Sequence, residues 1–304
     1  MASANGRPLS SRGALIFKSL RPEQWTKNLV VFAGLVFSGR LLDQAAWLPA
    51  IAAFVIFCAL SSAIYLINDV FDRVADAQHP LKRLRPVASG ALAPGTATAV
   101  AVALATAGLA AAAAVTPLLA VTAVGYVALL LAYSAALKHY VIIDVLALSS
   151  GFVLRSVAGA VAIAVPISHW LLVCTTLLAL FLALSKRRHE LTLLTDGAAS
   201  HRPILEEYSP YLLDQMISVV TSSTLIAYSV YTTSSDTAER LGSSRLGLTI
   251  PFVLYGIFRY LYLVHQRRGG GSPTEQLLSD TPLLACVALW ALSVVLVLYT
   301  HLGG

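Results

Sequence analysis

Long apolar runs recur along the whole chain and constrain its fold more than any other feature. A helix of about 20 apolar residues is long enough to cross the hydrocarbon core of a bilayer. Charged residues make up only 12% of the chain, against roughly 25% in an ordinary globular protein. The sequence therefore predicts an all-α integral membrane protein with about nine transmembrane helices. The predicted spans are Trp25–Leu42, Trp47–Ile67, Ala97–Val115, Leu118–Leu137, Val141–Val165, His169–Ser185, Leu212–Thr232, Leu246–Val264 and Pro282–Leu302.

Basic residues are distributed unevenly between the two sides of this predicted topology. An N-terminal tail (residues 1–24) and two long charged loops (about residues 68–96 and 186–210) lie on the basic side. The opposite side carries only Arg40, Arg240 and Arg245. Because cytoplasmic loops are enriched in Lys and Arg, we expect the tail and both loops in the cytoplasm. The chain is then a multi-pass protein of the cell (inner) membrane, with residues 25–304 forming one transmembrane domain.

The formal net charge of +6 indicates which kinds of molecule the protein binds. In so apolar a chain, this excess favours the lipid bilayer and phosphorylated substrates, and it argues against nucleic acid. A transporter of phosphorylated lipids or small anions is compatible with these features. However, no convincing repeat relates the two halves of the chain, and charge concentrated on one side favours a surface-accessible active site over alternating access. A homo-oligomer is compatible with the sequence.

An acidic cluster follows the second predicted span. Asp69, Asp72 and Asp76 are spaced i, i+3, i+7 and share one face if the helix continues, with Asn68 at the edge of that face. Stacked carboxylates repel one another unless a cation neutralises them, and Mg²⁺ prefers such oxygen ligands together with substrate phosphates. We therefore predict a magnesium site on Asn68, Asp72 and Asp76, assisted by Asp69, with the three aspartates as catalytic residues. The alternative is a solvated helix end.

Basic residues follow this cluster directly. Lys82 and Arg85 lie within ten positions of Asp76, and Arg and Lys side chains beside a metal are suited to binding a diphosphate. We predict that both bind substrate phosphate. Arg83 alone is better explained as a cytoplasmic topology signal.

The motif Asn68-Asp-x-x-Asp72-x-x-x-Asp76, followed by His79-Pro-x-Lys-x-x-Arg-Pro, resembles the first aspartate-rich motif of the UbiA-type intramembrane prenyltransferase superfamily. The resemblance covers almost the whole chain. It implies a bundle of nine transmembrane helices around a central cavity, and diphosphate substrates bound through Mg²⁺.

Three further segments are similar to the decaprenyl-phosphate phosphoribosyltransferase branch of that superfamily. They are Arg21-Pro22-x-Gln24-Trp25-x-Lys27-Asn28, Tyr133-Ser134-x-x-Leu137-Lys138, and the segment from Asp144 to Gly159. This branch implies transfer of 5-phosphoribose from phosphoribosyl pyrophosphate to a polyprenyl (decaprenyl) phosphate, releasing pyrophosphate, for synthesis of cell-wall arabinan precursors. The candidate substrate-binding residues in these segments are Lys27, Asn28, Tyr133, Lys138, Asp144 and Arg155.

Three of these residues have a second interpretation. Lys27 lies near a span end, where a lysine commonly extends to the membrane interface. Arg155 lies too deep in its span for that, and it is three helical turns from Asp144 and so on the same face. The two form either a polar stripe along the substrate cavity, which we favour, or two side chains satisfied separately by neighbouring helices.

The sequence departs from the prenyl-transferring branches after the sixth span. Where those enzymes usually have a second Asp-x-x-x-Asp cluster, this chain reads Lys186-Arg187-Arg188-His189-Glu190. We predict that Lys186, Arg187 and Glu190 form a substrate-phosphate site without a second metal; the alternative for the basic run is a topology anchor. The rival activity, prenyl transfer from a polyprenyl diphosphate to an aromatic acceptor, is expected to need the missing cluster.

Overall fold

The computed structural model describes residues 11–80, 82–195, 203–267 and 273–300. Within these ranges the regular secondary structure is entirely helical, which confirms the all-α prediction. The α-helices are α1 (Arg12–Leu20), α2 (Ala33–Phe37), α3 (Gln44–Phe71), α4 (Arg73–Gln78), α5 (Pro94–Val115), α6 (Pro117–Ala135), α7 (Ile143–Ala162), α8 (His169–Thr195), α9 (Pro210–Thr233), α10 (Ser235–Leu241), α11 (Ile250–Gln266), α12 (Pro273–Ser279) and α13 (Thr281–Tyr299). The 3₁₀ segments are Pro22–Phe32, Lys82–Leu84, Leu137–His139, Pro203–Glu207 and Arg245–Thr249.

Seven helices of the described chain are long and apolar enough to cross a membrane: α3, α5, α6, α7, α8, α11 with the 3₁₀ segment before it, and α13. The predicted count of about nine differs from this number at two places. The first predicted span is divided into the 3₁₀ segment Pro22–Phe32 and the five-residue α2. The seventh corresponds to α9, a continuous helix of 24 residues whose many Ser and Thr side chains lower its hydropathy. The end of the ninth predicted span, residues 301–302, lies outside the described residues.

Two glycines bring the first segment against α7. A Cβ atom built on Gly159 lies 1.7 Å from the carbonyl oxygen of Val31, and one on Gly34 lies 2.9 Å from the backbone nitrogen of Ala160. Two backbones approach this closely only where side chains are absent. The first predicted span, which is divided into the 3₁₀ segment Pro22–Phe32 and α2, therefore packs directly against α7.

Helices α3 and α7 form the middle of the molecule. In their most apolar windows 61% and 56% of the residues are buried within the protein, against 17–28% for the other five candidate spans. The other five spans lie nearer the outside of the helical bundle. Since α3 carries the acidic motif at its end, the most buried helix positions that motif.

Both charged regions differ from the sequence-based expectation in their local structure. Helix α3 ends at Phe71, and Asp72 has φ −87° and ψ 6° between α3 and α4, so the three aspartates do not lie along one continuous helix. Helix α8 continues to Thr195, so residues 186–190 are helical and not the start of a loop. Residues 196–202 of the predicted second loop, like residues 1–10 of the tail, lie outside the described residues.

Candidate active site

The acidic motif is divided between two sets of basic partners. The carboxylate of Asp69 accepts hydrogen bonds from Arg21 and, at 3.2 Å, from Arg85 Nη1. The same Arg85 nitrogen lies 2.5 Å from Asp76 Oδ2, and Lys82 Nζ lies 3.9 Å from Asp76 Oδ1. Asp69 and Asp76 are almost fully buried, so one guanidinium bridges two carboxylates shielded from water.

Asp72 has a different partner. Its carboxylate lies 3.2 Å from Lys138 Nζ, in the connection between α6 and α7, and its side chain is 44% exposed. The break in the helix at Asp72 turns this carboxylate away from the Arg85 bridge. The three acids therefore lie close in the chain but are neutralised from two directions.

The residues around this break fit a hard metal ion. Asn68 Oδ1 is buried and has no hydrogen-bond partner among the described residues. An orphaned buried carbonyl oxygen is costly, and a metal ion is one group that satisfies it. Together with the carboxylates of Asp72 and Asp76, the Asn68 oxygen gives the set of oxygen ligands that Mg²⁺ prefers. In the described chain no three His, Cys, Asp or Glu side chains are already arranged around a common metal position, because Arg85 holds Asp69 and Asp76.

Arg187 lies in a closed network and not in an open phosphate site. Its Nε donates to Asp144 Oδ2 at 2.7 Å, Nη1 to Glu190 at 2.6 Å and Nη2 to the Tyr133 hydroxyl at 3.2 Å. The side chains of Arg187 and Asp144 are 1% and 0% exposed. This differs from the expectation that Arg187 contacts phosphate, because its guanidinium is enclosed and each of its three nitrogens has a partner. The geometry favours a role in positioning Glu190.

Arg155 is also held by neighbouring helices. Its Nε donates to Asn28 Oδ1 at 2.7 Å, and its Nη2 donates to the Tyr126 hydroxyl at 2.6 Å. The Asn28 amide also donates to Ser61 Oγ at 3.3 Å. Arg155 and Asp144 therefore have separate partners, which is the alternative to the continuous polar stripe that we favoured from the sequence. Arg155 and Asn28 fix the 3₁₀ segment to α7.

The remaining predicted cations lie near one another. Lys27 interacts electrostatically with three cations, Lys186, Arg155 and Arg21, and more weakly with the carboxylate of Glu23. The Lys186 side chain is 40% exposed, and its Nζ is 3.8 Å from Glu190 Oε1. Like charges held together in a partly buried place attract an anion. Lys27 and Lys186 are thus better suited than Arg187 to contact phosphate.

Two residues of the site have roles that the sequence interpretation did not assign. Arg21, which was noted only as part of a motif, adopts left-handed φ 54° and pairs with Asp69. Tyr208 donates to Asp144 Oδ1 at 2.8 Å and accepts from the backbone nitrogen of Ile142 at 2.8 Å. Burial, together with Asp144, raises the pKa of Tyr208 to about 12, so its hydroxyl stays protonated at neutral pH. No local sequence signal marks Tyr208, which lies 64 positions from Asp144.

Comparisons with known proteins identify the family of this chain. A family model described as the UbiA prenyltransferase family matches residues 29–274. The chain is 35% identical over 289 residues to a decaprenyl-phosphate phosphoribosyltransferase of Corynebacterium glutamicum, covering 93% of this chain and 86% of that protein. It is 36% identical over 288 residues to the protein of the same name from Mycolicibacterium smegmatis, covering 90% and 89% of the two chains. The fold is similar to that of a UbiA homolog from Archaeoglobus fulgidus bound to DMAPP and Mg²⁺, with a TM-score of 0.70, 18% identity, and coverage of 94% of this chain and 99% of the other.

Proposed function

The chain belongs to the UbiA prenyltransferase family, and from that premise we propose that it transfers 5-phosphoribose from phosphoribosyl pyrophosphate to a polyprenyl phosphate, with release of pyrophosphate. The similarity to two decaprenyl-phosphate phosphoribosyltransferases over most of both chains carries this proposal. The excess of cations around a short acidic motif supports it, since both substrates are polyanions. The product would then supply a cell-wall arabinan precursor.

The metal site of this proposal is built on Asn68, Asp72 and Asp76. The Asn68 oxygen has no partner in the described chain, and the Asp72 carboxylate is partly exposed beside Lys138. Asp76 joins them when Arg85 turns toward phosphate. Bound there, Mg²⁺ would neutralise charge on the departing diphosphate. Asp69 stays paired with Arg21, so it holds the end of α3 in place.

The basic residues bind and orient the donor. Arg85 and Lys82, next to Asp76, contact the diphosphate, and Lys138 approaches it from the α6–α7 connection. Lys27 and Lys186 bind the phosphate that remains on the sugar. Each charge-assisted contact of this kind contributes roughly 1.5–3 kcal/mol.

The chemistry needs little from the protein beyond orientation and charge. Pyrophosphate leaves the anomeric carbon as positive charge develops on the ribose ring, and a phosphate oxygen of the lipid attacks from the opposite side, which inverts that carbon. The lipid phosphate is already an anion at neutral pH, so no general base is required. Catalysis then depends on holding the two anions in line and on stabilising the leaving group.

The rival activity within the family is prenyl transfer to an aromatic acceptor. The region after the sixth span supports the ribosyl reaction over this rival, because Arg187 and Glu190 pair there with each other and with Asp144, Tyr133 and Lys186. A second metal would have to displace that network. The basic loops also favour a cytoplasmic active site in a cell membrane, because phosphoribosyl pyrophosphate is a cytosolic type of substrate.

One experiment separates the two activities. Purified protein is incubated with Mg²⁺ and phosphoribosyl pyrophosphate labelled in the ribose, with and without a polyprenyl phosphate. We expect labelled lipid and equimolar pyrophosphate only when the lipid is present, and no prenylation of 4-hydroxybenzoate from a polyprenyl diphosphate. Prenylation of the aromatic acid without ribosyl transfer would establish the rival.

A further inference from the structure

A cavity of about 700 Å³ lies beside the acidic motif, on the side facing α1. Its walls come from α1, from the start of the 3₁₀ segment at Arg21, and from the chain around Leu84 and Arg85. Asp69 forms part of its floor, so the cavity borders the acidic motif directly. Among the described residues, Arg85, which we place on the donor diphosphate, is the one that the cavity shares with the donor arrangement described above.

Three cations point to an anionic ligand for this cavity. Lys18, Arg21 and Arg85 line it together with two carboxylates, Glu23 and Asp69, so the lining keeps a net positive charge. Arg21 and Arg85 share the carboxylate of Asp69. Their side chains remain 21% and 30% exposed, and a guanidinium has five N–H donors, so donors remain for a ligand. The Arg21 guanidinium also lies over the ring of Tyr65 at 5.0 Å, which fixes its orientation.

Two apolar side chains point to a ligand that also carries hydrocarbon. Phe17 and Leu84, which both line the cavity, are 57% and 66% exposed. Phe17 packs edge-on against Trp25, with ring centroids 6.4 Å apart. Because α3 ends at Phe71, two residues after Asp69, this wall lies at the level where the span leaves the hydrocarbon. Exposed Phe and Leu beside Lys and Arg at that level are typical of lipid contact.

The pairing of the aspartates gives a second, independent argument. Asp72 is neutralised by Lys138 from the α6–α7 connection, whereas Asp69 is neutralised by Arg21, directly after α1, and by Arg85. A displacement between two anions needs a cationic site for each, on either side of the reacting carbon. On the α1 side, Phe17 and Leu84 line the same cavity as Lys18 and Arg21.

We propose that this cavity binds the phosphate head of the lipid acceptor, with Lys18 and Arg21 on the phosphate and with Phe17 and Leu84 against the first isoprene units. The inference rests on the proposed function for the identity of the lipid. It assigns a substrate site to α1, which precedes the span-forming helices.

Equilibrium binding without donor tests the proposal. Purified protein is titrated with decaprenyl phosphate, and separately with phosphoribosyl pyrophosphate and Mg²⁺, for the wild type, Lys18→Gln and the double variant Phe17→Ala, Leu84→Ala. We expect the lipid Kd to rise on the order of tenfold in both variants and the donor Kd to stay within about twofold. The matched control is Phe258→Ala, Leu292→Ala, since both residues are similarly exposed on α11 and α13; we expect it to leave both constants unchanged.

Three results would overturn the proposal. They are an unchanged lipid Kd in both variants, a donor Kd that rises in place of the lipid Kd, and inorganic phosphate competing equally with the lipid in the wild type and the double variant. Thermal melting of each variant identifies loss of folding, and only folded variants are titrated. A wild type that binds decaprenyl phosphate here but releases no pyrophosphate would reject ribosyl transfer while supporting this site, so the two failures are distinguishable.

Discussion

The guanidinium of Arg187 donates to the carboxylate of Asp144 at 2.7 Å, and neither side chain is more than 1% exposed. The pair joins the start of α7 to α8. In the orientation that we propose, this part of α8 faces the cytoplasm. Removing one partner leaves a buried charge, which costs roughly 3–5 kcal/mol. Removing both with side chains of similar shape costs far less.

We therefore expect Asp144→Asn and Arg187→Met each to lower the melting temperature strongly, and the double variant to recover part of the loss. Thermal unfolding of the purified proteins measures this. The exposed pair Asp236 and Arg240, 3.8 Å apart on α10, provides the control, and Asp236→Asn should leave melting unchanged. Independent, additive losses for Asp144→Asn and Arg187→Met would contradict the coupling.

Substitution of Lys186 should affect donor binding and not stability, in contrast to substitution of Arg187. The Lys186 side chain is 40% exposed and lies near Lys27, so Lys186→Ala should leave melting nearly unchanged and raise the KM for the ribosyl donor on the order of tenfold or more. Steady-state kinetics with varied donor and saturating lipid gives the value. An unchanged donor KM, or a raised lipid KM alone, would remove Lys186 from the donor site.

This contrast shows what the sequence could predict here and what it could not. The basic run predicted substrate contacts for both Lys186 and Arg187, but adjacent residues on an α-helix point about 100° apart. Arg187 therefore faces Asp144 in the interior while Lys186 stays accessible. That difference depends on the packing of α8 against α7, which no pattern within residues 186–190 contains.

For the fold as well, the sequence predicted the class of structure but not the local breaks in its helices. Hydropathy predicted the helical membrane fold, because long apolar runs have few alternatives. The division of the first span at Phe32 was not predictable, since it depends on Gly159 meeting Val31 more than 120 positions away. Likewise, the aspartates have the spacing of one helical face, but α3 ends at Phe71, so Asp72 lies between two helices and the three residues are not on one face.

Gly159→Ala tests that close approach. A Cβ at Gly159 would lie 1.7 Å from the Val31 carbonyl oxygen, so α7 and the 3₁₀ segment must separate. We expect little folded protein by size-exclusion chromatography in detergent. Gly125→Ala on α6 is the matched control: nothing lies within 4 Å of its Cβ, and Ala in place of a helix-interior Gly stabilises by roughly 0.5–1 kcal/mol. Equal yields of the two variants would show that the backbones can move apart.

Asp72→Asn and Asp76→Asn test the metal assignment. Both keep the shape of the side chain and remove the charge, so we expect kcat to fall on the order of 100- to 1000-fold, with melting little changed for the exposed Asp72. Binding of Mn²⁺, followed by electron paramagnetic resonance, should weaken in both variants. Near-normal turnover that still requires Mg²⁺ would place the metal elsewhere.

Tyr208→Phe tests the contact that holds the segment before α9 against α7. The Tyr208 hydroxyl donates to Asp144 and accepts from the Ile142 backbone nitrogen, where Ile142 has a left-handed φ of 69°. Without the hydroxyl, Asp144 loses a buried hydrogen bond, at a cost of roughly 1–3 kcal/mol, and the Ile142 N–H loses a partly buried one. We expect faster hydrogen exchange at the amides of Ile142 and residues 204–208 and a higher donor KM, because Asp144 no longer fixes Arg187 and Glu190 as firmly.

The stabilisation that the Tyr208 hydroxyl contributes should be lost only at high pH. The folded-state pKa of Tyr208 is raised to about 12, above the usual value of about 10, so its stabilising contribution is fully present below pH 10 and is lost as the pH rises through about 12. The stability difference between the wild type and Tyr208→Phe should therefore stay constant from pH 6 to pH 9.

Tyr211→Phe, at a residue 74% exposed on α9, is the matched control for the exchange and kinetic measurements and should change neither exchange nor KM. Equal exchange at Ile142 in the wild type and Tyr208→Phe would show that another contact holds the start of α7.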